Sequence, residues 1–414
     1  MKPLRIIFLT QWFDPEPALK GMGFVQAMAA RGHAVEVVTG FPNYPGGRVY
    51  DGYRIRPWRK ERAGNVAVTR LALIPSHSQS KIGRIANYVS FWFTSCLYLL
   101  LFARRADVVY VYHPPMTVGL AAAMARMIRR TPTVLDIQDM WPDTLRATGM
   151  MGNERVLRVI GAVSAWVYRH VDRITVISPG FGRLLQDRGV PAGKIDLVPN
   201  WAPEVAGAKP LADGHMPFRN DHTFRLLFAG NMGPAQGLSS VLQAAGLVQD
   251  QYPEIGFYFL GSGIAVAGLQ DQAAQSGLRN VTFLPRVGLD EVGAYLQAAD
   301  ALLVHLTNDP LFAITIPSKT QAYLAAGKPI ILAVAGDAAD MVQRAGAGVT
   351  VPPENPQALA QAVVSMAALP KAARDQLGSN AAAFYDADLS LKQAVTRLEG
   401  IFAGMTQAKL GNGS

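Results

Sequence analysis

Lys319 is the residue to which chemistry is most readily assigned. It stands in Ile316-Pro317-Ser318-Lys319-Thr320, where a loop turns into a short helix. Ser318 suits the N-cap, Gly327 the left-handed position past the last turn, and Pro329 blocks continuation before the strand 330–334. An ammonium beside the free N–H groups of a helix start favours an anion. A capped helix with no ligand carries the same marks, so its neighbours decide. Two glycine turns, Gly230-Asn231-Met232-Gly233 and Gly261-Ser262-Gly263, each end an apolar run, and Arg286-Val287 follow a third run at 281–284. Glycine turns with one Lys and one Arg at adjacent strand ends suit a nucleotide diphosphate. The expected donor-binding set is Gly230, Asn231, Gly233, Gly261, Ser262, Gly263, Arg286, Val287, Pro317, Ser318 and Lys319.

The first half offers different groups. Asp136-Ile137-Gln138-Asp139-Met140-Trp141-Pro142-Asp143 places three carboxylates at the end of a buried run. Asp139 and Asp143 suit polar ligand groups; Asp143 equally suits a helix cap. His113 ends the run 108–112, where it either faces a ligand or is a satisfied buried or capping residue. Lys20-Gly21-Met22-Gly23 is half of a dinucleotide loop, with Gln26 in place of the third glycine. The second strand ends in Thr39-Gly40, without the acidic residue a nicotinamide site needs, so the segment reads as a tight turn, with or without a ligand. The seven His show no paired spacing with each other or with the single Cys96, and no metal or cofactor is expected.

Strands separated by helices must hold these groups. In the first half, strand signals at 4–10, 34–39, 66–73, 107–112, 133–137, 173–177 and 194–198 alternate with helical segments. The rhythm restarts at 225–230 and continues through 256–260, 281–284 and 301–305. Repeated βα order predicts helix-covered, mostly parallel sheets, with ligands at the carboxyl ends of the strands. The Pro-, Gly- and Ala-rich stretch 201–222 reads as a linker. The expected domains are 1–205 and 206–390, two Rossmann-like units with a cleft between them, followed by a last segment 391–414.

The 414 residues carry a net charge of +9, unevenly: +13 in residues 1–200 and −4 in 201–414. One cysteine excludes an internal disulfide and suits a reducing compartment, and no secretory signal peptide is expected. The stretch Ile85–Ala103, IANYVSFWFTSCLYLLLFA, has no charge and is flanked by Lys81, Arg84, Arg104 and Arg105. Its length admits a membrane span. The strands on either side of it belong to one expected sheet, however, which favours a helix in the core or in contact with the interface. With Arg54, Arg56, Arg59, Lys60 and Arg62, the basic flanks suit an anionic membrane surface.

Six segments together resemble one family. They are Trp12-Phe13-Asp14-Pro15-Glu16-Pro17, Gly40-Phe41-Pro42-Asn43-Tyr44-Pro45-Gly46-Gly47, Gln138–Asp143, Val176-Ile177-Ser178-Pro179-Gly180-Phe181, Pro199-Asn200-Trp201 and Ile316–Lys319. The chain resembles family 4 glycosyltransferases of the GT-B fold, and within them bacterial surface-polysaccharide enzymes of the L-fucosamine transferase type. The resemblance implies retaining, metal-independent transfer of a sugar, from a nucleotide-sugar donor, UDP-linked, to a polyprenyl-diphosphate-linked saccharide acceptor. The second domain would bind the donor and the first the acceptor, through Lys20, Gly21, Gly23, Asn43, Tyr44 and Asp143. Lys319, Asp139 and His113 would serve catalysis, and the last helix would cross back to the first domain. The protein would act peripherally at the cytoplasmic face of the inner membrane. Many relatives have an Arg and a Lys where this chain has Asn231 and Gln236, and two Glu where it has Ile314 and Ala322. The diphosphate charge would then fall on Lys319, Arg286 and helix N-termini.

Three other readings share parts of this pattern. A sugar-nucleotide epimerase on the same architecture would act without an acceptor. A non-catalytic nucleotide-sugar-binding protein would keep the fold without the cations at 231 and 236, where this chain has Asn and Gln. Nucleic-acid binding by the basic half is disfavoured, because its cations are mixed with a long apolar helix and not with an aromatic stacking platform.

Overall fold

The computed structural model describes residues 2–76, 81–113, 115–147, 151–203, 218 and 221–411. It forms two compact units, Met1–Pro199 with Ala394–Ser414, and Asn200–Gln393. The first break falls before the sequence-based position 205 because Trp201 and Ala202 are already buried in the second unit, where the Ala202 N–H donates to the Tyr385 hydroxyl at 3.2 Å. Most of the expected linker lies outside the described residues.

The first unit runs β1 (Arg5–Leu9), α1 (Met22–Ala30), β2 (Ala34–Gly40), β3 (Trp58–Ala63), β4 (Val66–Leu71) and α2 (Lys81–Phe102). It continues through β5 (Val108–His113), α3 (Met116–Arg129), β6 (Thr133–Ile137), α4 (Asp143–Ala147) and α5 (Glu154–His170). β7 (Arg173–Val176), α6 (Pro179–Asp187) and β8 (Ile195–Leu197) complete it. The sheet order is β3-β4-β2-β1-β5-β6-β7-β8. All neighbours are parallel except β3 and β4. The centre is occupied by Ile6-Ile7-Phe8-Leu9 and Val108–Tyr112, whose residues are buried on both faces, as helix coverage of a parallel sheet requires. β3 is absent from the sequence-based strands. Its residues Trp58-Arg59-Lys60-Glu61-Arg62-Ala63 are largely exposed and show no apolar alternation, as suits a charged edge strand.

α2 connects β4 to β5 and packs on α3. Phe91, Ser95 and Leu99 are buried on its inner side. β4 and β5 lie in the same sheet, so the helix returns the chain to the layer it left. Its length and apolarity would nonetheless permit a span.

The second unit runs β9 (Phe224–Asn231), α7 (Leu238–Val248), β10 (Ile255–Ser262), α8 (Val266–Gln275), β11 (Val281–Leu284) and α9 (Leu289–Ala298). Then come β12 (Ala301–His305), α10 (Pro310–Ala313), α11 (Ser318–Ala325), β13 (Ile330–Ala333), α12 (Asp337–Ala345) and β14 (Gly348–Thr350). α13 (Pro356–Ala368) and α14 (Lys371–Phe384) close it, and α15 (Leu391–Gly411) follows. The six parallel strands are ordered β11-β10-β9-β12-β13-β14. Alternate residues of β9 enter opposite cores: Leu227 and Ala229 join Tyr258 and Tyr323, whereas Leu226 and Phe228 join Val241 and Phe259. From Ala394 onward α15 belongs to the first unit. There Glu399 receives Arg31 and His33 Nε2, each at 3.1 Å, and Phe402 meets the Tyr110 ring edge-on.

Candidate active site

In the second unit the two glycine turns pair directly: Gly230 lies opposite Gly261 and Asn231 opposite Ser262. Gly261, at φ +140°, has no room for a side chain, because a Cβ there would fall 2.1 Å from the Gly230 carbonyl oxygen. α11 brings Lys319 over this edge. Its ammonium sits 4.5 Å from the centre of the Phe228 ring, and a Cβ on Gly230 would stand 2.8 Å from Lys319 Cε and 3.1 Å from Nζ. Lys319 is half-buried, and among the described residues no carboxylate pairs with it. Burial without a counter-charge pushes its pKa down from 10.5 to about 8. Among the described residues the unit thus holds a cation without a carboxylate over a backbone left bare by glycine, an arrangement that suits a phosphate oxygen.

Ser318 is the first residue of α11 and Pro317 is the N-cap, with no side-chain cap bond, which corrects the expected Ser318 cap. Proline fixes the extended conformation at that position, leaving the exposed Ser318 hydroxyl uncommitted to capping. Gly327 takes the left-handed conformation, φ +65°, that ends the helix. Arg286 is exposed just past β11, at the sheet edge, with Val287 partly buried beside it. β11 lies two strands from β9, about 10 Å, so Arg286 does not share the contact between Lys319 and Gly230. Sequence reasoning missed His305, the last residue of β12. Its Nδ1–H donates to the Gln236 carbonyl at 2.7 Å, which leaves Nε2 as an acceptor in the neutral ring, and burial lowers its pKa. Gln236 is itself used in the turn, where its Oε1 accepts from the Gly233 N–H at 2.8 Å.

In the first unit several expected contacts prove structural. Lys20 is fully buried; its Nζ bonds Asp136 Oδ2 at 2.5 Å and the Tyr110 hydroxyl at 2.9 Å. It is a core ion pair, which removes it from the acceptor set. Asp136 is further held by Thr175 and Gln138, both at 2.7 Å. The Lys20–Gly23 turn is also occupied from within. The Asp14 carboxylate accepts the Met22 N–H at 2.6 Å and lies 2.4 Å from where a Gly21 Cβ would be. Gly21 therefore leaves room for the Asp14 carboxylate that caps the start of α1, while Gly23 is exposed in the first turn of α1. Asn43 is buried, donating to the Phe41 carbonyl and accepting from Asn87 at 3.3 Å, so it too leaves the acceptor set. Asp143 opens α4 and pairs with Arg188 at 2.5 Å.

Two groups remain presented at this edge, Tyr44 and Asp139. Tyr44 packs its ring on Trp12, centroids 4.8 Å apart. Asp139, just past β6, is partly buried and unpaired among the described residues, and burial raises its pKa from 3.8 to about 6. His113 ends β5, but its side chain lies outside the described residues. Glu16, which sequence reasoning passed over, organises the edge: Oε1 accepts the N–H groups of Asn43 and Tyr44 at 2.6 and 2.7 Å. It thereby ties the segments 12–17 and 40–47 together. Its pKa is raised by burial, against the lowering effect of those bonds and of Arg70.

Two Rossmann-like α/β units in tandem, each with a mostly parallel sheet, are the architecture of the GT-B glycosyltransferases. Residues 22–201 match the glycosyl transferase 4-like domain and residues 223–368 match glycosyl transferases group 1. The chain belongs to the family 4 glycosyltransferases of the GT-B fold. It is 30% identical over 374 residues to a putative colanic acid biosynthesis glycosyl transferase, WcaI, of Escherichia coli, covering 86% of this chain and 90% of that one. It is 26% identical to the probable glycosyltransferase WbjE of Pseudomonas aeruginosa, over 63% of this chain and 66% of the other. Among solved structures, sucrose-phosphate synthase from Thermosynechococcus elongatus superposes with a TM-score of 0.70 at 17% identity, over 98% and 99% of the two chains. Anabaena HepE in complex with UDP-glucose gives 0.66 at 16%, over 97% and 100%. At such identities these two establish the fold.

Proposed function

We propose that this glycosyltransferase moves an N-acetylated amino or deoxy sugar from a UDP-linked donor to a polyprenyl-diphosphate-linked saccharide, with retention and without a metal, in surface polysaccharide biosynthesis. The observation that carries the reading is Lys319, an unneutralised ammonium over the Gly230 turn. The polysaccharide setting is supported by the likeness to WcaI, a putative colanic acid biosynthesis glycosyl transferase, and the uridine nucleotide by the HepE complex. In the proposed step the bond between the anomeric carbon and the diphosphate oxygen breaks as positive charge grows on the sugar. Lys319 and backbone N–H groups stabilise the departing diphosphate, with Arg286 as a second cation at the outer edge. The acceptor oxygen bonds the anomeric carbon from the same face, and its proton passes to the leaving diphosphate. Asp139 and His113 orient sugar or acceptor hydroxyls, and Trp12 and Tyr44 offer an apolar shelf.

The same reading places the protein peripherally at the cytoplasmic face of the inner membrane. Its support is the outer side of α2, where Ile82, Ile85, Val89, Phe93, Leu97 and Leu101 recur at helical spacing, all exposed, with Phe93 at 62%. Arg104 and Arg105 close that helix.

Calorimetry with UDP-, GDP- and dTDP-sugars tests the donor assignment. Saturable binding of UDP-sugars that is lost in Lys319→Ala is expected. Binding that survives the substitution unchanged, or a preference for GDP- or dTDP-sugars, would overturn it.

A further inference from the structure

An apolar groove of about 650 Å³ lies between α2 and the start of β3. Leu97 and Leu101 form one wall, and Ile55, Pro57 and Trp58 face them across Leu71 and Ala72. Leu97 and Leu101 also belong to the outward stripe of α2, so the groove opens onto the surface proposed to meet the bilayer. A second cavity, of about 600 Å³, is lined by Gly52, Tyr53, Arg54, Arg56, Arg59 and Lys60. Arg56 and Lys60 line both. Arg59 is partly engaged, with Glu61 at 3.4 Å and the Tyr53 ring at 5.3 Å. Arg54, Arg56 and Lys60 have no carboxylate partner among the described residues.

A hydrocarbon-lined groove that shares its wall with uncompensated cations complements one kind of molecule, a hydrocarbon chain joined to a phosphate. A soluble nucleotide would leave the apolar walls wet, and an uncharged lipid would leave the cations unmatched. The groove also lies away from Asp139, a residue proposed to orient the reacting groups. β3 is the edge strand, and five strand spacings, about 24 Å, lie between it and β6, which leads to Asp139. We infer that the two cavities together hold one anionic phospholipid of the bilayer, with a chain between α2 and Trp58 and the phosphate against Arg54, Arg56 and Lys60. The lipid anchors the first unit and fixes its orientation on the membrane. This rests on the reading that the first unit meets a bilayer.

The test uses the full chain and dioctanoyl-phosphatidylglycerol at monomeric concentrations, followed by Trp emission. A saturable change is expected, absent in Trp58→Phe and absent with dioctanoyl-phosphatidylcholine. Ala72→Phe, which fills the groove, should abolish binding; Leu101→Trp replaces it if that variant does not fold. Neutralising the cations in R54Q/R56Q/K60Q should weaken binding about a hundredfold, at about fivefold per cation. An equal response to the zwitterionic lipid, or one indifferent to groove filling, overturns the site. Sedimentation with vesicles of phosphatidylcholine and phosphatidylglycerol at 7:3, for wild type and Phe93→Glu, reads bilayer docking separately. Vesicle binding with no response to the monomeric lipid removes the groove and leaves docking intact. A response to the monomer without vesicle binding removes docking and leaves an anionic-lipid site, which overturns its role as an anchor.

Discussion

Lys319→Ala separates the cost of holding a bare cation from its use. In the folded protein the ammonium is half-buried, 4.5 Å from the centre of the Phe228 ring and without a carboxylate partner among the described residues, and burial lowers its pKa from 10.5 to about 8. That displacement corresponds to at most about 3–4 kcal/mol of desolvation, reduced by whatever water reaches the group. The sign follows from proton binding. Between pH 8 and 10.5 the unfolded chain holds the Lys319 proton and the folded chain does not, so stability rises with pH across that window. Lys319→Ala removes this rise. Near pH 7 it leaves Tm unchanged or raises it, because no ion pair is broken and the cation–π attraction to Phe228 contributes only about 0.5–2 kcal/mol. Catalysis responds in the opposite direction. Without a charge-assisted hydrogen bond to the leaving diphosphate, kcat/KM falls by about 10²–10³-fold. In the wild type, kcat/KM should fall about tenfold per pH unit above pH 8 if Lys319 supplies the charge that holds the donor. The assay is nucleoside diphosphate release across pH 6–10, with thermal melts on the same samples. A variant that melts like the wild type and keeps kcat/KM within about threefold would show that Lys319 does not hold the diphosphate.

Three further substitutions probe the first unit. Asp139→Asn should raise stability at pH 7 by at most about 3 kcal/mol and leave it unchanged below pH 4, since the folded carboxyl keeps its proton up to about pH 6 while the unfolded one loses it near 3.8; urea titrations at both pH values check this. The same variant should lose any acid limb of kcat/KM near pH 6. Glu16→Ala orphans three N–H groups, at Phe13, Asn43 and Tyr44, at about 1–3 kcal/mol each, and hydrogen exchange should show those amides released. Lys20→Met strands the buried Asp136 carboxylate at about 3–5 kcal/mol, and adding Asp136→Asn should recover part of that loss in denaturant titrations.

The alternation of apolar runs and helical segments made both parallel sheets legible, and glycine spacing marked the turns under Lys319. What stayed hidden depended on partners distant in sequence. Lys20 reads as a loop cation until Asp136, 116 residues away, is packed against it. Asn43 looked like a ligand contact because nothing local shows that Asn87 and Phe41 already satisfy it. Glu16 stood out only as part of the segment 12–17, and its role did not, since it collects backbone N–H groups from a loop that follows β2. β3 escaped because an edge strand needs no apolar alternation, and the groove beside it is visible only once α2 is folded against it.

Sugar transfer itself is tested most directly by incubating purified protein in liposomes with UDP-sugars and a polyprenyl-diphosphate-linked saccharide, and measuring UDP release. The account predicts release from one UDP-sugar, dependent on the acceptor, with the sugar linked to the saccharide in its original anomeric configuration. Release without acceptor, inversion at the anomeric carbon, or a folded protein that binds donor and transfers nothing across the panel would contradict it.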